Sequence, residues 1–372
     1  MISSFVPVYT AAHSRKEDST LDNPLISVVV PAYNQPLYLK RAVQSLISQS
    51  YRPIELIISD DSSPTSLEPV VTEAIESCQN NIRIQFFRQK RNLGVMGNFK
   101  FCVDHCSGKY LAPFSHDLRI TDKNYFQSAI SVMQSYHDCY LSIANCAYEG
   151  TNRRMLGSMD GSASDWKIMN GGDFICRYRR GGLNWSQATI LDHEIGNSLG
   201  AYDEPFMVSP RLSRELNIAQ DNLFSFVFLL SAKGSVAVTQ QCVCEVGMPA
   251  NSYSRSKIWQ DSKKRVKFFI FFNIAHANLR GQHSAVVKKC AYRQALEYVD
   301  YIRDRRLVAY YDWRINFLLL LGLSFLKIPW FHLRQFVKRV KRLIGKNETI
   351  KKKEFSSMSK SKSYIKRPQL RN

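Results

Sequence analysis

The 372-residue chain lacks any clean apolar run of the length a membrane-spanning helix needs, about 20 residues. Its first stretch, Met1 to Asn23, lacks the basic start and apolar centre of a secretory signal, so the body is expected in the cytosol. Regular cysteine spacing is also missing. The nine cysteines are irregularly placed, and the closest pair, Cys242-Val-Cys244, has one intervening residue where a zinc knuckle has two. No histidine pair stands nearby at ligand spacing, so the thiols read as buried side chains of a reducing compartment. There is no internal repeat. Acidic residues are few, 31 against 51 Lys and Arg, for a net charge of +20.

Much of that charge is local. Residues 334–372 hold 14 Lys and Arg against two acids, which gives +12 of the total. The body is only mildly basic. Hydrophobic residues make up 45 % and aromatics 12 % of the chain, enough for a core, and this excludes disorder of the whole.

The periodicity predicts an α/β fold. Residues 1–24 read as a flexible arm closed by Pro24. Leu25-Ile-Ser-Val-Val-Val30 is a nearly continuous β-branched run, the pattern of a strand buried on both faces. Residues 38–50 show helical spacing, and 54–59 read as a second strand ending in Asp60-Asp61-Ser62-Ser63. A helix over 67–78, a strand over 82–87, a helix over 95–106 and a strand over 108–114 follow, the last running into Ser115-His116-Asp117. This βαβαβαβ order predicts a doubly wound, Rossmann-like, mostly parallel sheet flanked by helices. Ligands bind such sheets beyond the carboxyl ends of the strands. Asn34, Asp60 with Asp61, Asn92 and Asp117 each follow a strand. Further on, the pattern predicts helices over 126–136 and 223–232, a strand over 236–246 and a helical, basic stretch over 256–306.

Each polar group has two readings. Asp60 and Asp61 can accept from a base N–H or ribose hydroxyls, or they can cap the next helix. Asp117 suits a hard cation, with His116 assisting a softer one. Asp221, just before the apolar run Leu223–Ala232, suits a general base or an N-cap. Trp185, followed by Ser186, suits an acceptor platform or a core position. Residues 316–333 are apolar but broken by Lys327, Pro329 and His332. Joined to the basic tail, which is expected to lack fixed structure, they suit an interfacial anchor on an anionic leaflet or a helix packed on the body. The tail has no interleaved aromatics, so nucleic acid is not the expected partner.

Taken in order, Ser27-Val-Val-Val-Pro-Ala-Tyr-Asn34, Leu39-Lys-Arg-Ala-Val-Gln-Ser-Leu46, Gln49-Ser-Tyr51, Glu55-Leu-Ile-Ile-Ser-Asp-Asp-Ser62, Asn92-Leu-Gly94 and Gly108-Lys-Tyr110 resemble the family 2 glycosyltransferases of GT-A fold. The resemblance is dense over residues 25–125 and thinner to 255. It implies a catalytic domain over 25–255 and a helical extension over 256–333, ahead of the 334–372 tail. It implies transfer of a sugar from a nucleotide-diphospho-sugar to a hydroxyl of a glycan or lipid-linked glycan, with inversion. Pro31, Ala32, Tyr33, Asn34, Asp60, Asp61, Arg91, Asn92, Gly94 and His116 would then bind the donor nucleotide. Asp117 would hold a Mn or Mg ion, as the last acid of an Asp-X-Asp motif. Asp221 would be the base, and Val246–Ser254 would match a loop that closes over the diphosphate. Two departures stand out. Ser115 occupies the first acid position of the metal motif, and Gln220 replaces a Glu beside Asp221. A degenerate or scaffold member is the rival reading. A sugar-nucleotidyltransferase is a further one, but it would want a Gly-rich phosphate loop where Pro31-Ala-Tyr-Asn34 stands.

Overall fold

Ile26–Ala32 forms β1, and its apolar run is buried almost throughout. Parallel neighbours flank it on both sides, β2 (Ile54–Asp60) and β4 (Tyr110–Pro113), and β3 (Arg83–Arg88) adds to β2. A strand enclosed by two strands and two helical layers has no face for water, which is why its residues do not alternate. The computed structural model describes residues 23–76, 82–151, 154–156, 165–179, 187–203, 206–207, 223–247, 267 and 269–297. All lie in the first of the chain's two compact units, Met1–Arg303. Asp221, Trp185, Ser186, most of the N-terminal arm, residues 248–254, the apolar stretch 316–333 and the basic tail fall outside the described residues.

Helices α1 (Pro36–Ile47), α2 (Glu68–Glu76) and α3 (Gly94–Val103) connect these parallel strands. Pro36 opens α1, where its missing N–H costs nothing. The helix buries Leu39, Val43 and Leu46, each contributing roughly 1.5–3 kcal/mol. These residues share a core with Val28, Val30, Leu56 and Ile58 and with α2 residues Val71 and Ala74. The alternate strand residues face α3, as the bond from Ser59 Oγ to Asn98 Oδ1 (2.5 Å) shows.

Beyond β4 the sheet changes character. It runs β3-β2-β1-β4-β8-β6-β9-β5, with β7 also on β9. Here β5 is Leu118–Ile120, β6 Cys139–Tyr148, β7 Lys167–Asn170, β8 Thr189–Asp192 and β9 Ser235–Val246. β8 enters antiparallel to both β4 and β6, while β6 and β9 are parallel. The parallel block is therefore the part that periodicity foretold, and the mixed remainder extends the same helix-flanked α/β sheet. Strand β9 carries β7 on the first part of its outer edge and β5 on the last. α4 (Tyr125–Ser135) packs on β6 and β9. α5 (Gly171–Arg179), α7 (Leu223–Lys233) and α9 (Ser284–Glu297) pack on one another; α6 (His193–Ser198) and α8 (residues 269–276) fall between them in chain order. None of the eight described cysteines is disulfide-bonded. Among the described residues, no helix is long and apolar enough to cross a membrane.

Candidate active site

The parallel register aligns the carboxyl ends of three strands: Ala32 lies beside Asp60, and Asp60 beside Arg88. Asp60 and Asp61 are adjacent in sequence but part company, because the strand's period of two sends them to opposite faces. Asp60 is fully buried and turns toward α2. Its Oδ1 accepts from Ser63 N at 2.9 Å and its Oδ2 from Leu67 N at 3.2 Å, while Arg88 Nε lies 3.8 Å away. Both oxygens thus shape the turn ahead of α2.

Asp61, also buried, turns toward α3. Its Oδ1 accepts from Leu93 N at 2.6 Å, and Gly94 N also donates to it. Helix α3 has no side-chain cap of its own. Asp61 supplies that cap from another strand and meets the positive end of the helix dipole. Gly94 stands at φ +76, a conformation open to glycine without penalty, and so delivers its N–H. Burial pushes the Asp61 carboxyl above its ordinary value, with neighbouring Asp60 adding to this; the two backbone donors pull the other way. Asn92 completes the loop, with Nδ2 donating to Asp61 O at 3.1 Å and Oδ1 accepting from Gly94 N at 3.0 Å. Arg91 is exposed beside it.

Across the strand ends, Asn34 and Ser62 both adopt left-handed backbone, φ +48 and +60. Asn34 N donates to Ser63 Oγ at 2.9 Å, so the turns after β1 and β2 brace each other. Non-glycine residues held this way concentrate at ligand sites. Tyr33, the residue before Asn34, is 45 % exposed.

The third loop follows β4. His116 Nδ1 contacts Pro31 O at 3.2 Å, which ties this loop to β1. Ser115 Oγ donates to Asp117 Oδ1. Burial raises the Asp117 carboxyl, and His116 opposes that. Asp117 borders a shallow cleft with Tyr38, Arg41, Arg119, Glu149, Glu245 and Gly247. Arg41 pairs with Glu149 at 2.5 Å, and Arg119 pairs with Glu245. Gly247 N donates to Asp117 O at 2.7 Å. A Cβ on Gly247 would stand 2.2 Å from the Tyr38 ring, so this position at the exit of β9 has no space for a side chain.

Among the described residues no group of three His, Cys, Asp or Glu side chains is arranged to hold a metal ion. One carboxylate with a neighbouring hydroxyl and imidazole suits a different case: a hard cation whose remaining ligands are phosphate oxygens and waters.

Pro31, Ala32, Tyr33, Asn34, Asp60, Asp61, Arg91, Asn92, Gly94, His116 and Asp117 therefore all lie at or just beyond the carboxyl ends of the parallel strands. Residues 27–187 match the family described as glycosyl transferase family 2. That region is a glycosyl transferase family 2 domain. A GalNAc(5)-diNAcBac-PP-undecaprenol beta-1,3-glucosyltransferase of Campylobacter jejuni is 30 % identical over 128 residues, 34 % of this chain and 39 % of that protein. A chondroitin synthase of Escherichia coli is 30 % identical over 118 residues, 32 % of this chain and 17 % of its own length. An uncharacterized glycosyltransferase of Rickettsia bellii is 35 % identical over 94 residues, 25 % and 13 %. The chain thus spans well under half the length of these curated relatives. Among solved structures, S. aureus TarS 1-349 in complex with UDP-GlcNAc aligns with TM-score 0.55 at 16 % identity, covering 76 % of this chain and 82 % of that one. At that identity the likeness establishes the GT-A fold.

Several residues around the cleft have no signature in a linear reading. Arg119 and Glu245 are brought together only by the pairing of β5 with β9. Tyr38 and Arg41 sit on α1 among ordinary helix positions, and nothing in their spacing distinguishes them. The paired left-handed turns had a faint signal in Asn34 and in the Asp-Asp-Ser-Ser run.

Proposed function

We propose that the protein transfers a sugar from a nucleotide-diphospho-sugar to a hydroxyl of a glycan or lipid-linked glycan, with inversion at the anomeric carbon. The observation that carries this reading is the convergence of three braced loops, bearing Asn34, Asp61 and Asp117, at one carboxyl edge of the parallel block. Tyr33, with its exposed ring, and Asn34 would receive the nucleoside together with Pro31, Ala32, Arg91 and Asn92. Asp61 fixes the 92–94 loop beside them and is the acid best situated to meet the base. Asp60, spent on the turn before α2, serves the site by positioning it. His116 flanks the same pocket.

Asp221 would take the proton of the acceptor hydroxyl as that oxygen attacks the sugar C1 and the nucleoside diphosphate departs. The resemblance and its place two residues before α7 support this role. A Mn or Mg ion at Asp117, when bound, would neutralise charge on the departing diphosphate. Trp185 and Ser186 would contribute to the acceptor side. The apolar stretch 316–333 with its basic sequel would hold the enzyme at an anionic membrane surface, where lipid-linked acceptors lie.

A panel of nucleotide sugars, screened for hydrolysis and transfer with and without manganese, tests the reading. At least one donor should turn over. Asp221→Asn should abolish transfer while leaving calorimetric nucleoside-diphosphate binding intact. Absence of any nucleotide binding would favour a non-catalytic scaffold, and unimpaired turnover by Asp221→Asn would remove the base assignment.

A further inference from the structure

Cys176 on α5 and Cys290 on α9 stand with their sulfurs 3.7 Å apart, although 114 residues separate them in sequence. One turn earlier on each helix lies a second close approach. A Cβ placed on Gly172 would be 3.5 Å from Val286 Cβ. The steps from Gly172 to Cys176 and from Val286 to Cys290 are both four residues, so the two helices run side by side over successive turns. Both helices also pack against α7.

The other described cysteines differ. Cys146 and Cys244 face each other across β6 and β9, but both are fully buried. Cys102 lies on α3 and Cys106 just past its end, where its Sγ donates to Cys102 O. Burial raises the Cys102, Cys139, Cys242 and Cys244 thiols, and that of Cys106 to about 12, which keeps them protonated and poorly nucleophilic. Cys176 is partly exposed while Cys290 beneath it is buried. That combination places a reachable thiol against a protected second one.

We propose that Cys176 and Cys290 form a peroxide-oxidisable pair whose disulfide staples α5 to α9. The Cys176 sulfur attacks a hydroperoxide, its S–H proton is released, and the O–O bond breaks to leave a sulfenic acid and water, or an alcohol from an organic hydroperoxide. The Cys290 thiol then attacks the Cys176 sulfur, the S–S bond forms and a water leaves. Two thiols are oxidised by two electrons and one peroxide is reduced. The sulfurs must close from 3.7 Å to about 2.05 Å, a movement within the reach of side-chain rotation.

The full chain, treated with a few equivalents of hydrogen peroxide, should lose about 2 Da relative to its reduced mass, and on denaturation and alkylation should take up fewer alkyl groups than the reduced chain, by the pair that is linked. Non-reducing peptide mapping should show a Cys176–Cys290 link that dithiothreitol removes. The cross-link closes a long loop, so the thermal midpoint should rise by about 5 °C or more. Cys176→Ser should lose both effects. Cys290→Ala, which keeps an apolar residue in the buried site, should do the same. The proposal is overturned if peroxide leaves Cys176 and Cys290 separately alkylated, links either to a different cysteine, or carries Cys176 to the sulfinic acid without a cross-link.

Discussion

Glu55 and Asp60 stand at opposite ends of one fully buried strand, and each spends both carboxylate oxygens on a loop at its own end. Glu55 accepts from Ser27 Oγ at 2.5 Å, from Ser107 N at 2.6 Å and from Ser107 Oγ at 2.9 Å. Strand β2 thereby fastens the turn before β4 at one end and the turn before α2 at the other.

Neutral isosteres at these positions should therefore be costly. In Glu55→Gln or Asp60→Asn one acceptor becomes an amide donor. At Asp60 the N–H groups of Ser63 and Leu67 cannot reorient, so one loses its acceptor; at Glu55 the amide oxygen keeps Ser107 N and Ser27 Oγ while the amide nitrogen is turned toward Arg83, whose Nη1 now lies 3.7 Å from Oε2. Each variant should lose about 1–3 kcal/mol, read as a lower midpoint in urea denaturation. An unchanged midpoint would refute the fastening role.

Asp61→Asn should behave in the opposite way. Burial holds the Asp61 carboxyl above its ordinary 3.8, so the folded state favours the protonated form. The stability this group contributes is complete below 3.8 and is lost as pH rises through the raised folded value. An asparagine can still accept from Leu93 N and carries no buried charge. The variant should match wild type at acid pH and gain relative stability as pH climbs toward neutrality. If Asp61 meets the base, the same variant binds nucleoside diphosphate more weakly. Thermal midpoints across pH, with a calorimetric titration, check both halves.

Gly247→Ala should disturb the Asp117 loop through Tyr38. The new methyl group overlaps the ring, so the ring or the Gly247–Asp117 hydrogen bond must shift. Such overpacking costs about 1–3 kcal/mol. Adding Tyr38→Ala removes the clash and should recover part of the lost stability. A double-mutant cycle measures that coupling, and strict additivity would contradict it.

Ser115→Asp rebuilds a two-carboxylate motif beside Asp117. Without a cation the two acids repel, and the variant should be less stable than wild type at neutral pH. With manganese and a nucleoside diphosphate it should bind the ion more tightly than wild type does. Equal manganese dependence in the two proteins would argue that Asp117 takes no part in cation binding.

The parallel block was legible because buried parallel strands write themselves as apolar runs, and Leu25–Val30 does so plainly. Its helices were found to within a few residues, since Leu39, Val43 and Leu46 repeat at helical spacing. The antiparallel additions β5, β7 and β8 are only three or four residues long, too short for a period to declare itself. At the site, Asp60 and Asp61 were visible as a pair. Their division of labour was not, because it depends on which face each residue meets and on backbone donors that carry no sequence letter. The capping alternative weighed for the pair is realised by Asp61, though on α3 and not on the helix that follows it in the chain.

That main-chain capture has an evolutionary corollary. Asp61 grips the 92–94 loop by amide groups that every residue but proline possesses, so the side chains at Arg91 and Leu93 are not needed to keep the loop in place. These two positions can drift while the scaffold beneath stays unchanged, and if Arg91 meets the donor nucleotide, such drift retunes the site without cost to the fold.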